Sequence, residues 1–151
     1  MSAIANGFPL PLFERLVEDA DAWLQGEHAL RQSVARELSR LLNARSSLTM
    51  ETFAMSDGTV LDYGLPDFSD LSLRSQRDRD AIVAAVRQAI AFFEPRLADV
   101  KVDFNFPSGD ERHAVLTVDG KMRVNRSVEH VFFELQGGAR GSADARWKDA
   151  D

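Results

Sequence analysis

Apolar residues recur at helical spacing through the first half of the chain and alternate at strand spacing through much of the second. From Pro11 to Leu24, the positions Leu12, Phe13, Leu16, Val17, Ala20, Trp23 and Leu24 share one side of a helix, with Pro11 suited to its first turn and Gly26 to its close. A second helix is predicted from about Glu27 to Ala44. Leu30, Val34, Leu38, Leu41 and Leu42 form its apolar face, while Arg36, Ser39, Arg40 and Asn43 point away. A third is predicted to begin at an N-cap, Ser75, with Asp78 placed to complete a capping box. It carries Ile82, Val83, Val86, Ala89, Ile90 and Phe93 on one stripe, and Ala84 and Ala91 on its far side leave room for a neighbouring element.

Residues 45–74, with "SDGTV" and "YGLPDFSD", keep no sustained period and predict an ordered loop with one short strand near Thr59 to Asp62. So long a connection is uncommon in a compact domain and often marks a segment that contacts something. Beyond the third helix, Val100, Val102, Phe104 and Phe106 alternate with Lys101, Asp103 and Asn105, a strand with one buried face. The stretch "AVLTVDGKMRVN" contains Asp119–Gly120, a pair favoured in two-residue hairpins. A hairpin there would set Val118 opposite Lys121 and Leu116 opposite Arg123. One continuous strand instead puts Leu116, Val118, Gly120, Met122 and Val124 on a single face, and that reading is preferred, with Gly120 as a bulge or a point of close approach. A turn near Arg126 to Glu129 leads to a last strand through Val131, Phe133 and Leu135. Residues 137–151 have almost no apolar content and predict a flexible tail with a lone aromatic, Trp147. The expected architecture is a single α+β domain over residues 1–136, with about three N-terminal helices packed on a small, mainly antiparallel sheet of at least three C-terminal strands.

Composition narrows the function. The chain has 151 residues, 44% hydrophobic and 28% charged, with a net charge of −6, which fits one soluble domain and argues against a nucleic-acid partner. With no cysteine, disulfides, thiolate nucleophiles and cysteine-bound metals are excluded. No apolar run approaches the roughly 18 to 20 residues that span a bilayer, and "MSAIANGFPLPLF" lacks the basic-then-apolar order of a secretory signal, so the chain is expected to stay in the cytoplasm. His28, His113 and His130 have no metal-ligand spacing, and there is no phosphate loop or nucleophile elbow. A glycosidase needs two carboxylates across a cleft, one of them kept protonated. Glu94 is the nominal acid, yet a base at Arg96 favours its ionised form, and no second carboxylate stands out. No catalytic, cofactor-binding or metal-binding residue is therefore predicted.

The remaining signal is "FFEPRL". Proline disfavours helix in the residue before it, so the third helix should stop near Phe93, leaving Glu94 and Arg96 in an extended stretch and on the same side. An acid and a base on a stiffened backbone suit docking to a fixed partner. They equally suit an internal ion pair that fixes the corner, and residue types leave both readings open. On the docking reading, Arg96→Glu leaves the chain folded.

"FEPRL" (Phe93 to Leu97) followed by "VKVDF", together with "LFERL" (Leu12 to Leu16), "SVARELSRLLNAR" (Ser33 to Arg45) and "LDYGLPDFSDLS" (Leu61 to Ser72), resembles the Glu-Pro-Arg signature of the contractile-tail baseplate wedge family. Its bacterial members are the TssE subunits of the type VI secretion system, and the likeness spans residues 10 to 136. The resemblance implies a structural, non-enzymatic subunit of a baseplate docked at the inner membrane. By it, Glu94, Pro95 and Arg96 would bind the core formed by the wedge subunits TssF and TssG, with TssK a further candidate. The sheath subunits TssB and TssC would meet a free sheet edge by strand addition. Arg36, Asn43, Arg45, Tyr63, Gly64 and Asp67 fall in the matching segments as candidates for partner contact or for structure. "LLNAR" has Ala44 where the family has threonine, so a hydroxyl contact is lost there. The fold implied is also similar to that of stress-response anti-adapter proteins, which gives an alternative binding role. The lysozyme-like label attached to some family members finds no support in the carboxylates.

Overall fold

The chain runs β1 (Gly7–Pro9), α1 (Leu12–Val17), β2 (Trp23–Gln25), α2 (Gly26–Asn43), α3 (Met50–Ala54), a 3-10 turn (Val60–Asp62), α4 (Gln76–Phe93), β3 (Leu97–Asn105), β4 (Val115–Val124), β5 (Ser127–Gly137) and β6 (Ala143–Lys148). The structure, a computed structural model, describes residues 7–9, 11–17, 23–107, 109, 114–124, 126–137 and 143–148. Strands β3 to β6 form an antiparallel sheet in chain order, and β1 and β2 form a separate two-stranded ribbon. Helices α2 and α4 bury their apolar stripes against one face of the larger sheet. Leu30, Val34, Leu38 and Leu41 meet Ile82, Val86, Ala89 and Ile90, and both sets meet Val102, Val118, Met122, Val131 and Phe133 in one core. The α+β expectation thus holds: apart from the short β1–β2 ribbon, the helices come first and the antiparallel strands after them.

The local signals explain most boundaries. Ser75 caps α4 by accepting a hydrogen bond from the Asp78 amide at 3.3 Å. Strand β4 passes straight through Asp119–Gly120: Gly120 pairs with Val131 and is buried, as are Val118, Met122 and Val124. The bulge lies in the partner strand, where the β3–β4 register shifts between Ala98 and Lys101 and Asp99 takes φ 52°. A side chain at Gly120 would stand 3.4 Å from the Ala98 carbonyl oxygen, a contact that a small shift relieves. Gly120→Ala is therefore expected to change stability by less than about 1 kcal/mol, since a strand gains from alanine about what the contact costs. A hairpin tip with φ above zero would lose considerably more, and urea unfolding separates the two.

Other expectations need correction. The first helix was expected to reach Leu24, but α1 ends at Val17, and Trp23–Gln25 is a strand paired with Gly7–Pro9. Leu16, expected on the core face, is exposed. The side chains of Leu12, Phe13, Val17 and Trp23, like Ala20 as a whole, lie outside the described residues. The 45–74 segment holds α3, which Thr49 caps by accepting from the Thr52 amide at 3.2 Å, and Phe53 anchors it in the core. Five residues are too few for a period to show. The short strand expected near Thr59 to Asp62 is instead the 3-10 turn, because Asp62 hydrogen-bonds back to Thr59. The β4–β5 turn falls between Val124 and Ser127, earlier than the Arg126 to Glu129 expected. Within the segment expected as a flexible tail, Ala143–Lys148 pair with β5 as a fourth strand. The Trp147 side chain and His113 lie outside the described residues.

Candidate assembly surface at the helix–strand corner

Helix α4 ends where Pro95 stops it. The Glu94 amide still donates to the Ile90 carbonyl at 2.8 Å, and the Leu97 amide donates to the Glu94 carbonyl at 3.2 Å. The corner is thus a tight turn with proline second and arginine third, rather than the extended stretch expected. Glu94 and Arg96 still reach the same side. Glu94 is 1% exposed. The Arg96 Nε donates to its Oε1 at 2.7 Å, Nη2 to its Oε2 at 2.5 Å, and the Arg96 amide to Oε1 at 3.2 Å. A two-pronged guanidinium is the geometry a buried carboxylate needs, because an unpaired buried charge is heavily penalised.

The same arginine ties the corner to α2 and, through it, to α1. Arg96 Nη1 donates to Ser33 Oγ at 2.9 Å, Ser33 Oγ donates to Glu14 Oε2 at 3.3 Å, and Arg36 Nε donates to Glu14 Oε1 at 3.0 Å. Glu14 is buried at 7% exposure while Arg36 is 52% exposed, so the chain of contacts runs from the core to solvent. A third buried acid, Glu37, accepts from the Tyr63 hydroxyl at 2.9 Å and from Arg40 Nη1 at 2.6 Å. Burial, and after it the Glu37 carboxylate, pushes the Tyr63 phenol well above its usual range, so it remains a donor. The Tyr63 ring meets the edge of Phe93 at 5.2 Å, beside the corner.

The other candidate residues gather at the C-terminus of α2. Arg45 donates to the carbonyls of Leu42 at 3.1 Å and Ala44 at 3.3 Å and lies over the Phe68 ring at 5.4 Å, so it caps the helix. Asn43 donates to the Ser39 carbonyl at 2.7 Å. The Leu65 amide donates to the Ala44 carbonyl at 3.0 Å and the Ser46 amide to the Leu65 carbonyl at 2.9 Å, a parallel bridge that Gly64 enters at φ 112°. Asp67 accepts from the Ser69 hydroxyl at 2.5 Å and its amide at 3.0 Å, which holds its carboxyl below the usual range.

Sequence reasoning found both ends of the Glu94–Arg96 pair but missed Glu14, Ser33 and Glu37. Ser33 and Glu37 fall on the apolar stripe of α2, flanking Val34 and Leu38, and both are buried. A polar residue inside an apolar stripe is the signal that marks them. Glu14 left no such signal, because α1 has no long stripe to interrupt. Among the described residues no group of histidines and acids is placed to hold a metal ion. No helix among them is long and apolar enough to cross a membrane.

Acids paired with arginines, beneath a turn that shows proline to solvent, make a rigid surface, and the class of protein with which this fold agrees is a structural baseplate component. The chain belongs to the baseplate wedge protein gp25 family, whose model matches residues 28–127, from α2 to the start of β5. No curated protein matches it.

Proposed function

We propose that this chain is the wedge subunit of a type VI secretion baseplate, the role of TssE subunits, and that it acts by presenting preformed contacts to its neighbours. The observation that carries the proposal is the Glu-Pro-Arg corner within a family of baseplate wedge proteins: Pro95 is exposed above a fixed ion pair, and Arg96 keeps 23% of its surface in solvent. Glu94 is too buried to be touched, so its part is to hold Arg96, while Pro95 and the outer edge of Arg96 meet the wedge core of TssF and TssG, and TssK where it joins them. Contacts ordered before assembly spare the complex the entropy of fixing them.

Strand addition by the sheath subunits TssB and TssC is assigned to β6. Strands β3 and β6 are the outer members of the sheet, and the β3 bulge interrupts the ladder that an added strand would follow. The protein works in the cytoplasm against the membrane-docked baseplate and does not enter the bilayer. The anti-adapter alternative draws no support from any particular contact.

The test is binding of the purified chain to the TssF–TssG complex of the same bacterium. Pro95→Lys puts a long charged side chain on an exposed turn position, so stability should fall only by the roughly 0.4–1 kcal/mol that proline's stiffness supplies, while affinity falls by about tenfold or more, a loss of about 1.4 kcal/mol. Unchanged affinity would make the corner purely architectural. Failure of the wild-type chain to bind would sink the type VI assignment.

A further inference from the structure

Among the described residues the exposed large apolar side chains are Leu16, Met55, Val60, Leu61 and Val128, and three of these lie between Met55 and Leu61. Val60 and Leu61 are 82% and 83% exposed, next to each other on the 3-10 turn. This is not slack chain. Asp62 Oδ2 accepts from the Thr59 amide at 2.9 Å, the Thr59 hydroxyl at 2.8 Å and the Ser56 hydroxyl at 3.1 Å, and Ser56 Oγ accepts from the Gly58 amide at 3.0 Å. Gly58 has φ 73°, and a Cβ there would fall 2.4 Å from Phe92 Cγ, so the loop is seated directly on α4. A turn fastened in this way has already lost the conformational freedom that binding would otherwise take from it.

Between α3, whose C-cap is Met55, and α4 runs a shallow apolar groove of about 310 Å³, lined by Met50, Phe53, Ala54, Ala81, Ala84 and Gln88. The alanines let another backbone come close. On its α3 and loop side the charge is one-sided: residues 50–62 carry Glu51, Asp57 and Asp62 and no lysine or arginine. Asp62 is occupied within the turn, whereas Glu51 and Asp57 are exposed, and on α4 the flanking charges are mixed, Arg77 and Arg87 against Asp80.

We propose that Met55, Val60, Leu61 and the α3–α4 groove form a docking surface for a basic amphipathic segment of another protein. Its apolar side chains cover Val60 and Leu61, and its lysines or arginines meet Glu51 and Asp57. Charge selects the occupant, because a second copy of a chain with net charge −6 would set the same acids against each other. The surface is also continuous with the corner, since Tyr63 follows the turn directly and packs on Phe93. The inference concerns this surface alone and does not depend on which machine the protein serves.

The probe is a synthetic Leu/Lys amphipathic helical peptide of about four turns, added to the isotope-labelled full chain, with a Leu/Glu peptide of the same apolar pattern as its counterpart. Amide shifts should cluster in residues 50–62 and 81–88 with the Leu/Lys peptide and be absent with Leu/Glu. The double variant Val60→Ser with Leu61→Ser, at two exposed positions, should fold normally and weaken binding by about tenfold or more. A second variant, Glu51→Lys with Asp57→Lys, should reverse the preference between the peptides. No binding would overturn the proposal, and so would shifts scattered over other acidic surface that neither variant alters.

Discussion

Arg96→Ala should remove about 3–5 kcal/mol of folding stability, the usual consequence of leaving a buried charge without its partner. Glu94 is 1% exposed and receives three of its hydrogen bonds from Arg96, two from the guanidinium and one from the amide. Only the amide contact survives the change, and Ser33 also loses its donor. Domains of this size are stable by about 5–15 kcal/mol, so the variant would retain a reduced margin. Arg96→Glu should do worse, because it sets a second negative charge against a carboxylate that cannot move to solvent. The sequence-based expectation that Arg96→Glu leaves the chain folded assumed an exposed pair. Replacing both partners separates the cost of the orphaned charge from the worth of the pair: Glu94→Leu with Arg96→Met should recover most of the loss. Urea unfolding of the three variants checks this, and a loss below about 1 kcal/mol for Arg96→Ala would class the pair with exposed surface bridges.

This also answers why the corner uses glutamate, proline and arginine where a glycine could turn the chain. Proline ends α4 and sets the turn, the glutamate side chain goes inward, and the arginine satisfies it while reaching α2. A glycine turn would leave nothing to join α4, β3 and α2 at one point.

The elements legible in the sequence were those long enough to repeat their period. The stripes of α2 and α4 and the alternation in β4 and β5 each held over several turns or residue pairs, and β4 was read correctly through Asp119–Gly120 because the facial pattern outweighed the turn signal. Short elements failed for the converse reason. The three-residue strands β1 and β2 owe their conformation to each other, and β6 to its pairing with β5, so their own residues carry little periodic signal. At the corner, residue types gave the identity of the pair but not its depth, since burial of Glu94 follows from how α2 and α4 pack. The buried polar residues of α2 carried a signal of their own: Ser33 and Glu37 interrupt its apolar stripe, and each receives a hydrogen bond from a partner distant in sequence.

Gly64→Ala should cost about 3 kcal/mol, although it adds a single carbon, because it combines about 1–2 kcal/mol of backbone strain with about 1–3 of overpacking. At φ 112° an L-residue is strained whatever space surrounds it, and here there is none: the added Cβ would stand 2.7 Å from the Ala44 carbonyl oxygen and 2.8 Å from its carbon. These are backbone atoms, held in turn by the Leu65 amide at 3.0 Å, so no side chain can rotate away. Relief requires the bridge between Arg45 and Leu65 to open, which would loosen the Arg45 cap on α2 and draw buried Leu65 from the core. The glycine of "YGLPDF" is therefore assigned an architectural role, locking the long connection to the end of α2. Equilibrium unfolding of Gly64→Ala beside Gly120→Ala makes the comparison internal, since the same substitution should be nearly silent within β4. A Gly64 variant as stable as wild type would show that the connection can separate from α2 at little cost, and Gly64 would return to the candidates for direct partner contact.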